Sequence, residues 1–282
     1  MIVGKIGRIS LAAAAASVFL VALQASPVSA HGTNCKPPPA NMKFWAQYDT
    51  SVMDPDIIGN LIPTGTNTSP HRTILTTDIP GHAGGYLHLG APKAHVNYAG
   101  GANSVFGFHT GDFSLDVWVR IPKSGKMNDI PILDTHTGTP WQRGVMLSTT
   151  FKTVAFMMTD QAGDSWSWVT NIMIHDGVWH HLAVSVDRDN AQKSGIYVDG
   201  KRKKVSFWGG PGPNTALIPF DPTLQANKSL GTANPLRVGL GGDDGFGKTP
   251  HSSPLDIDEI EIFDRALTPL EIAALHARPK CH

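Results

Sequence analysis

The chain has 282 residues, in which 23 Lys and Arg balance 23 Asp and Glu, and 41% of the residues are hydrophobic. That balance gives no net field to draw the protein to nucleic acid or to an anionic membrane. Its two cysteines show no zinc-ligand spacing.

Residues 1–30 read as a signal peptide. Lys5 and Arg8 form a basic start, Ile9 to Leu23 an Ala-rich apolar stretch, and Ser26 to Ala30 a small-residue cleavage site. The stretch is short and poorly flanked for a membrane anchor, which is the alternative. No later segment is long and apolar enough to span a membrane. The expected protein is therefore secreted or periplasmic. Residues 31–282, with no repeat or composition break, are expected to form one domain. His31 would open the mature chain, where an amine and imidazole can chelate copper, but one ligand residue does not make a site. Cys35 and Cys281 are expected to pair in an oxidising compartment, which requires the first and last elements to lie side by side. The N-terminal third is rich in Gly, Pro and His (His71, His82, His88, His95, His109).

Strand periodicity begins clearly at Phe113. Phe113, Leu115, Val117, Val119 and Ile121 share one face, and Asp116, Trp118 and Arg120 the other. Thr153 to Thr159 and Ser165 to Ile174 flank a turn at Ala162-Gly163-Asp164, which predicts a hairpin. Leu182, Val184 and Val186 alternate in the next strand. Ile196 and Val198 continue the pattern, and Asp199-Gly200 supplies the positive-φ pair of a two-residue turn. His180 and His181 fall on opposite faces and suit packing and hydrogen bonding. Lys201-Arg202-Lys203-Lys204 reads as the guard of an edge strand. Pro235 to Leu240 and Leu255 to Phe263 add two strands. The last changes phase, since Leu255 and Ile257 have one parity and Ile260 and Ile262 the other, so a β-bulge is expected near Asp258-Glu259. Thr268-Pro269-Leu270-Glu271 is a capping box with proline at the first helical position. Leu270, Ala274 and Leu275 are the expected apolar stripe of that helix. The whole predicts an all-β, two-sheet antiparallel β-sandwich with a short C-terminal helix.

Three segments carry a family resemblance. DFSLDVWVRIP, GVWHHLAVSVD with IYVDGK, and PLRVG with DIDEIEIFDRALTPLEIAAL resemble, in order and spacing, the central strand, hairpin and closing segment of laminin-G-like, concanavalin A-type jelly rolls. The resemblance implies a jelly-roll sandwich used mainly for binding. It also implies a structural calcium ion where an early Asp-bearing loop meets the closing strand. The matching positions are Asp54 or Asp56 and Asp258, and calcium wants several such oxygen ligands. The same strand is similar to the acidic strand of glucanases in this superfamily, with Asp256, Asp258 and Glu261 as candidate carboxylates. Their first acid is Glu, so Asp256 is one methylene short.

Sugar recognition uses aromatic platforms flanked by carboxylates, amides and Arg. The candidate ligand residues are Trp141, Arg143, Trp166, Trp168, Asp244, Phe246 and His251, whereas Trp118 and Trp179 are expected in the core. Gly242 to Thr249 satisfies a phosphate-loop pattern, but Pro250 and Pro254 replace the helix it needs and Asp243 and Asp244 would repel phosphate, so no nucleotide is expected. The expected function is non-catalytic recognition of a glycan or glycosylated protein. A protein–protein adhesion module and a glycoside hydrolase are the alternatives.

Overall fold

A computed structural model describes residues 39–48, 56–66, 85–90, 94–102, 104–123, 130–137, 143–209, 214–239 and 254–278. In chain order the strands are β1 (Met42–Ala46), β2 (Thr64–Thr66), β3 (Leu87–Leu89), β4 (His95–Tyr98), β5 (Phe113–Arg120), β6 (Ile130–Asp134), β7 (Gly144–Thr150) and β8 (Thr153–Thr159). They continue with β9 (Ser165–Met173), β10 (Trp179–Val186), β11 (Gly195–Val198), β12 (Lys201–Lys203), β13 (Val205–Gly209), β14 (Asn214–Ile218), β15 (Leu236–Val238) and β16 (Leu255–Phe263), followed by helix α1 (Pro269–His276). One sheet has the order β1-β16-β5-β10-β11-β12, with β3 also on β16; the second runs β14-β13-β9-β8-β7-β6-β15-β4-β2. All these pairs are antiparallel. This is the two-sheet antiparallel sandwich with a C-terminal helix that the strand periodicity predicts, in the jelly-roll form that the family resemblance implies.

The inward faces alternate as the sequence requires. Phe113, Leu115, Val117 and Val119 of β5 join Leu182, Val184 and Val186 of β10 and Ile196 and Val198 of β11 in one core. The second sheet meets them with Val145, Leu147, Phe156, Met158 and Trp168. Burying such side chains contributes about 25 cal/mol per Å² of apolar surface. The β11–β12 turn has Asp199 at φ 52° and Gly200 at φ 69°, the twist that matches a right-handed hairpin. The Lys-rich β12 lies at the edge of its sheet, where charge discourages pairing with another chain.

The phase change in β16 is a bulge. Its register to β5 shifts between Asp258 and Glu261, and Glu259 sits at φ 49°. The bulge keeps Leu255, Ile257, Ile260 and Ile262 all in the core. It also lets one strand edge serve two short partners: β3 pairs with Leu255 to Ile257 and β1 with Ile260 to Phe263. Helix α1 has the expected capping box, with Thr268 accepting from Glu271 N and the Glu271 carboxylate reaching back to Thr268 N. Its apolar stripe differs from expectation. Ile272 and Leu275, three apart, pack on Ala183, Tyr197, Phe263 and Leu267, while Leu270 is 82% exposed.

Candidate functional site

The side of the first sheet that faces away from the core is not a simple solvated face. Alternation puts Asp116, Trp118 and Arg120 there from β5, and Trp179 and His181 from β10. Register then sets Trp179 beside Arg120 and His181 beside Trp118. Tyr86, Trp118 and Trp179 form a separate aromatic cluster, each 7% exposed. Trp118 and Trp179 are buried in a hydrophobic core cluster as expected, but their parity sets that cluster on the outer face of the first sheet, apart from the inter-sheet core.

Arg120 lies between these rings. Its guanidinium carbon is 5.2 Å from the centre of the Tyr86 ring and 5.1 Å from that of Trp179, within cation–π range. Arg120 Nε donates to Asp256 Oδ2 at 2.8 Å and Nη2 to Tyr86 Oη at 3.1 Å. Across the sheet, His88 Nδ1 of β3 lies 2.5 Å from Asp256 Oδ1. The open rim consists of His88 and Arg120, whose side chains are 34% and 22% exposed. Aromatic rings that hold an Arg–carboxylate–His string at a surface combine apolar area with fixed donors and acceptors, as ligand sites do.

The carboxylates of β16 are all engaged. Beyond Asp256, Glu259 accepts from Trp45 Nε1 and Glu261 pairs with Arg278. Asp258 Oδ1 accepts from Glu259 N at 3.1 Å. Asp258 also faces the buried Tyr48–Tyr98 pair, where burial and the neighbouring phenol push the Tyr48 hydroxyl well above its ordinary range. Asp256, Asp258, Glu259 and Glu261 are all buried. Hydrolytic chemistry needs two carboxyls that a sugar can reach, and these lie beneath ion pairs and packed rings.

Residues 93–273 match the sequence profile described as the Concanavalin A-like lectin/glucanases superfamily. The chain belongs to this superfamily. A comparison with curated proteins finds no significant match. Among solved structures, it is similar to the binding domain of Paraclostridial Mosquitocidal Protein 1, with 15% identity, a TM-score of 0.59, and coverage of 84% of this chain and 52% of that one. The botulinum neurotoxin serotype G binding domain follows with 19% identity, a TM-score of 0.57, and coverage of 84% and 51%. The serotype D ligand-binding domain, solved in complex with N-acetylneuraminic acid, gives 12%, 0.59, and coverage of 84% and 50%. The chain thus spans about half the length of the structures it matches, and at these identities the likeness is one of fold.

Within this concanavalin A-like frame the other candidate residues scatter. Trp168 is 1% exposed, with Phe220, Phe207 and Phe156 rings at 5.0, 5.8 and 6.5 Å. It is a core residue and offers no face to a sugar. Trp166 shares its parity but sits farther out, half-buried and stacked on Phe207 at 5.3 Å. Arg143 precedes β7, and its carbonyl accepts from Asn234 Nδ2 at 3.0 Å. Trp141, Asp244, Phe246, His251, Asp54, Cys35 and Cys281 lie outside the described residues. Tyr86 and His88 escaped the sequence reading because a three-residue strand carries almost no periodic signal.

Asp56, one of the candidate calcium ligands, is buried and already accepts three amides: Trp45 N at 2.7 Å, Ile58 N at 3.1 Å and Gly59 N at 2.5 Å. These bonds fold the loop from Asp56 to Leu61 around the carboxylate. Among the described residues, no three His, Cys, Asp or Glu side chains are grouped to hold a metal ion. Asp56 is thus committed to its own loop, and Asp54, the other expected ligand of that loop, lies outside the described residues.

His136, which follows β6, is held by buried groups. Its Nδ1 lies 2.7 Å from Asp134 Oδ1, and Arg237 Nη2 donates to Asp134 Oδ2 at 2.9 Å. Burial alone would raise the Asp134 carboxyl, but His136 and Arg237 hold it below its ordinary range. Its imidazole continues to Thr159 Oγ1 at 3.1 Å. Arg237, bonded to the same acid and to the His136 carbonyl, ties this string to β15 and fixes the loop after β6.

Proposed function

We propose that this protein is an exported, non-catalytic binding module that recognises a carbohydrate or a glycosylated surface. The observation that carries this reading is the Tyr86–Arg120–Trp179 stack beside Asp256 and His88. It fixes charged donors and acceptors on an aromatic support and leaves His88 and Arg120 at the rim. Such groups address sugar hydroxyls, and the ring edges beneath address C–H surface. The buried, ion-paired carboxylates of β16 favour binding over hydrolysis. The signal-peptide pattern of residues 1–30 supports export.

The test is a glycan array probed with the whole protein, followed by His88→Ala and Arg120→Lys. Arg120→Lys keeps the charge but loses the planar fork. At a temperature where each variant is still folded, both are expected to lower binding at least about tenfold, the loss of one charge-assisted contact. No wild-type binding to any glycan, or binding unaffected by both changes, overturns the reading.

A protein partner is the second reading. It is favoured by Phe151, which sits 69% exposed on the β7–β8 turn at φ 50°. A bulky residue in that region is strained, and exposed aromatics are common anchors at protein interfaces. Capture of a purified protein that free sugar does not displace would decide for it.

A further inference from the structure

Helix α1 docks on the outer face of the first sheet through contacts of two kinds. One is apolar: Ile272 and Leu275 on Tyr197, Phe263 and Leu267. The other is a polar, ring-lined seat at the C-terminal end of the helix. His276 stacks on Trp118 at 5.5 Å with planes 18° apart, and its ring centre is 5.6 Å from that of His181. His181 is fully buried, 5.3 Å from the Trp118 ring, and its Nε2 lies 2.8 Å from Asp116 Oδ2. Gly200 closes the seat from the β11–β12 turn: a Cβ there would come within 3.3 Å of the His276 ring. Three segments far apart in sequence thus meet on one imidazole.

The seat is poorly satisfied. Asp116 Oδ1, His181 Nδ1, Glu261 Oε2 and Arg278 Nη1 are buried with no hydrogen-bond partner among the described residues. Asp116 and Glu261 are register neighbours on β5 and β16, and Arg278 reaches Glu261 from just beyond α1. Buried polar atoms without partners cost stability. Lifting the helix carries His276 off His181 and Arg278 off Glu261, so hydration regained there offsets part of the cost of exposing Ile272 and Leu275. Elements with such balanced docking open locally before the rest of a fold.

We propose that α1 is an acid-released strap: protonation of His276, set against His181 and the ring of Trp118, lifts the helix and uncovers Trp118, Tyr197 and Phe263. The charged and titratable groups acting on His276 are His181 from β10, Asp199 from the turn and Lys201 from β12; Asp116 of β5 stands behind His181, and the Glu261–Arg278 pair ties β16 to the chain after α1. Burial, then His181, hold the His276 imidazole below its ordinary range; Asp199 opposes this and Lys201 adds to it. A group lowered in the folded state contributes docking that is complete above its unfolded pKa and is lost as pH falls through the folded value. The release therefore occurs on the acid side of neutrality.

The experiment is hydrogen exchange on the full chain, comparing protection factors of the amides from Ile272 to Ala277 with those of β5 and β10. Between about pH 7.5 and about pH 5, α1 protection is expected to fall at least about tenfold while the strands keep theirs. His276→Gln and His276→Phe remove the titrating ring, and Phe keeps the stack on Trp118. With His276→Phe the helix is expected to stay protected at both pH values. Unchanged protection of wild-type α1, or equal acid loss in wild type and His276→Phe, overturns the proposal. Loss in His276→Gln at both pH values, with His276→Phe protected at both, supports it by separating packing from titration.

Discussion

Replacing Trp168 by Ala separates a core role from a ligand role at a residue whose type suits both. Its ring is 1% exposed and is surrounded by Phe156, Phe207 and Phe220. A buried tryptophan removes on the order of 200 Å² from water, which at about 25 cal/mol per Å² corresponds to roughly 5 kcal/mol as an upper figure. Aromatic-to-Ala changes in cores cost about 3–5 kcal/mol. For a domain of this size each kcal/mol moves Tm by about 2–4 °C, so a fall on the order of 10 °C is expected. Calorimetry or a urea melt measures it directly. Trp166→Ala, at the half-buried outer end of the same face, is expected to cost no more than about 2 kcal/mol. If Trp168→Ala keeps wild-type Tm but loses ligand binding, the residue is a recognition platform and the core assignment is wrong.

Gly200→Ala should lower Tm by several degrees, because Ala is strained at φ 69° and its methyl presses on His276; an unchanged Tm would show that turn and helix do not meet. The three amides on Asp56 predict that EDTA leaves Tm unchanged, whereas a fall restored by Ca²⁺ would assign Asp56 and Asp258 as ligands. Hydrogen bonding to Asp199, reinforced by Asp176, raises the His180 imidazole above its ordinary range. Its stability contribution is therefore complete below about pH 6.5 and lost as pH rises through the folded value, and His180→Ala should flatten that alkaline decline in a pH series of melts. The Arg265 contact lowers the Glu271 carboxyl to about 2, so its contribution is present above the unfolded value and lost as pH falls toward about 2. Glu271→Gln should remove this acid limb and cost about 1 kcal/mol at neutral pH, a modest figure because the pair is partly solvated.

Strands with one apolar face declare themselves, because a shift of one residue would turn the whole set to water. The alternation in Phe113 to Ile121 and in Leu182 to Val186 therefore maps directly onto β5 and β10. The parity change between Ile257 and Ile260 likewise forced a bulge, and the capping box located α1. The strands β2 and β3 are three residues long, too short for a period to show, whereas the equally short β15 lies in the apolar run Pro235 to Leu240 and β12 shows itself by its charge. The outer face of the first sheet was hidden for a different reason. A residue opposite the core reads as solvated unless something covers it, and the covering elements are remote: His88 meets Asp256 across 168 residues and Arg120 meets it across 136. Parity shows that Trp166 and Trp168 share a face, but which face is settled only by Phe156, Phe207 and Phe220.

The partners of the acidic strand bear on what its face can do. In β16, alternation on either side of the bulge puts Asp256 and Glu261 on the face away from the core, beside Arg120 and Asp116 of β5, an arrangement a glycosidase would also need. Each of three carboxylates then takes a partner from a different element: Asp256 holds Arg120 of β5 and His88 of β3, Glu259 holds Trp45 of β1, and Glu261 holds Arg278 beyond α1. These contacts gather β1, β3, β5 and the C-terminal helix onto one face. For Asp256 to attack a sugar and Glu261 to donate a proton, Arg120, His88 and Arg278 would all have to leave, stranding buried charges at a cost of about 3–5 kcal/mol for each broken pair. The same acids that make the strand look catalytic are thus the ties that close this face, and among the described residues His88 and Arg120 stay partly exposed at its rim.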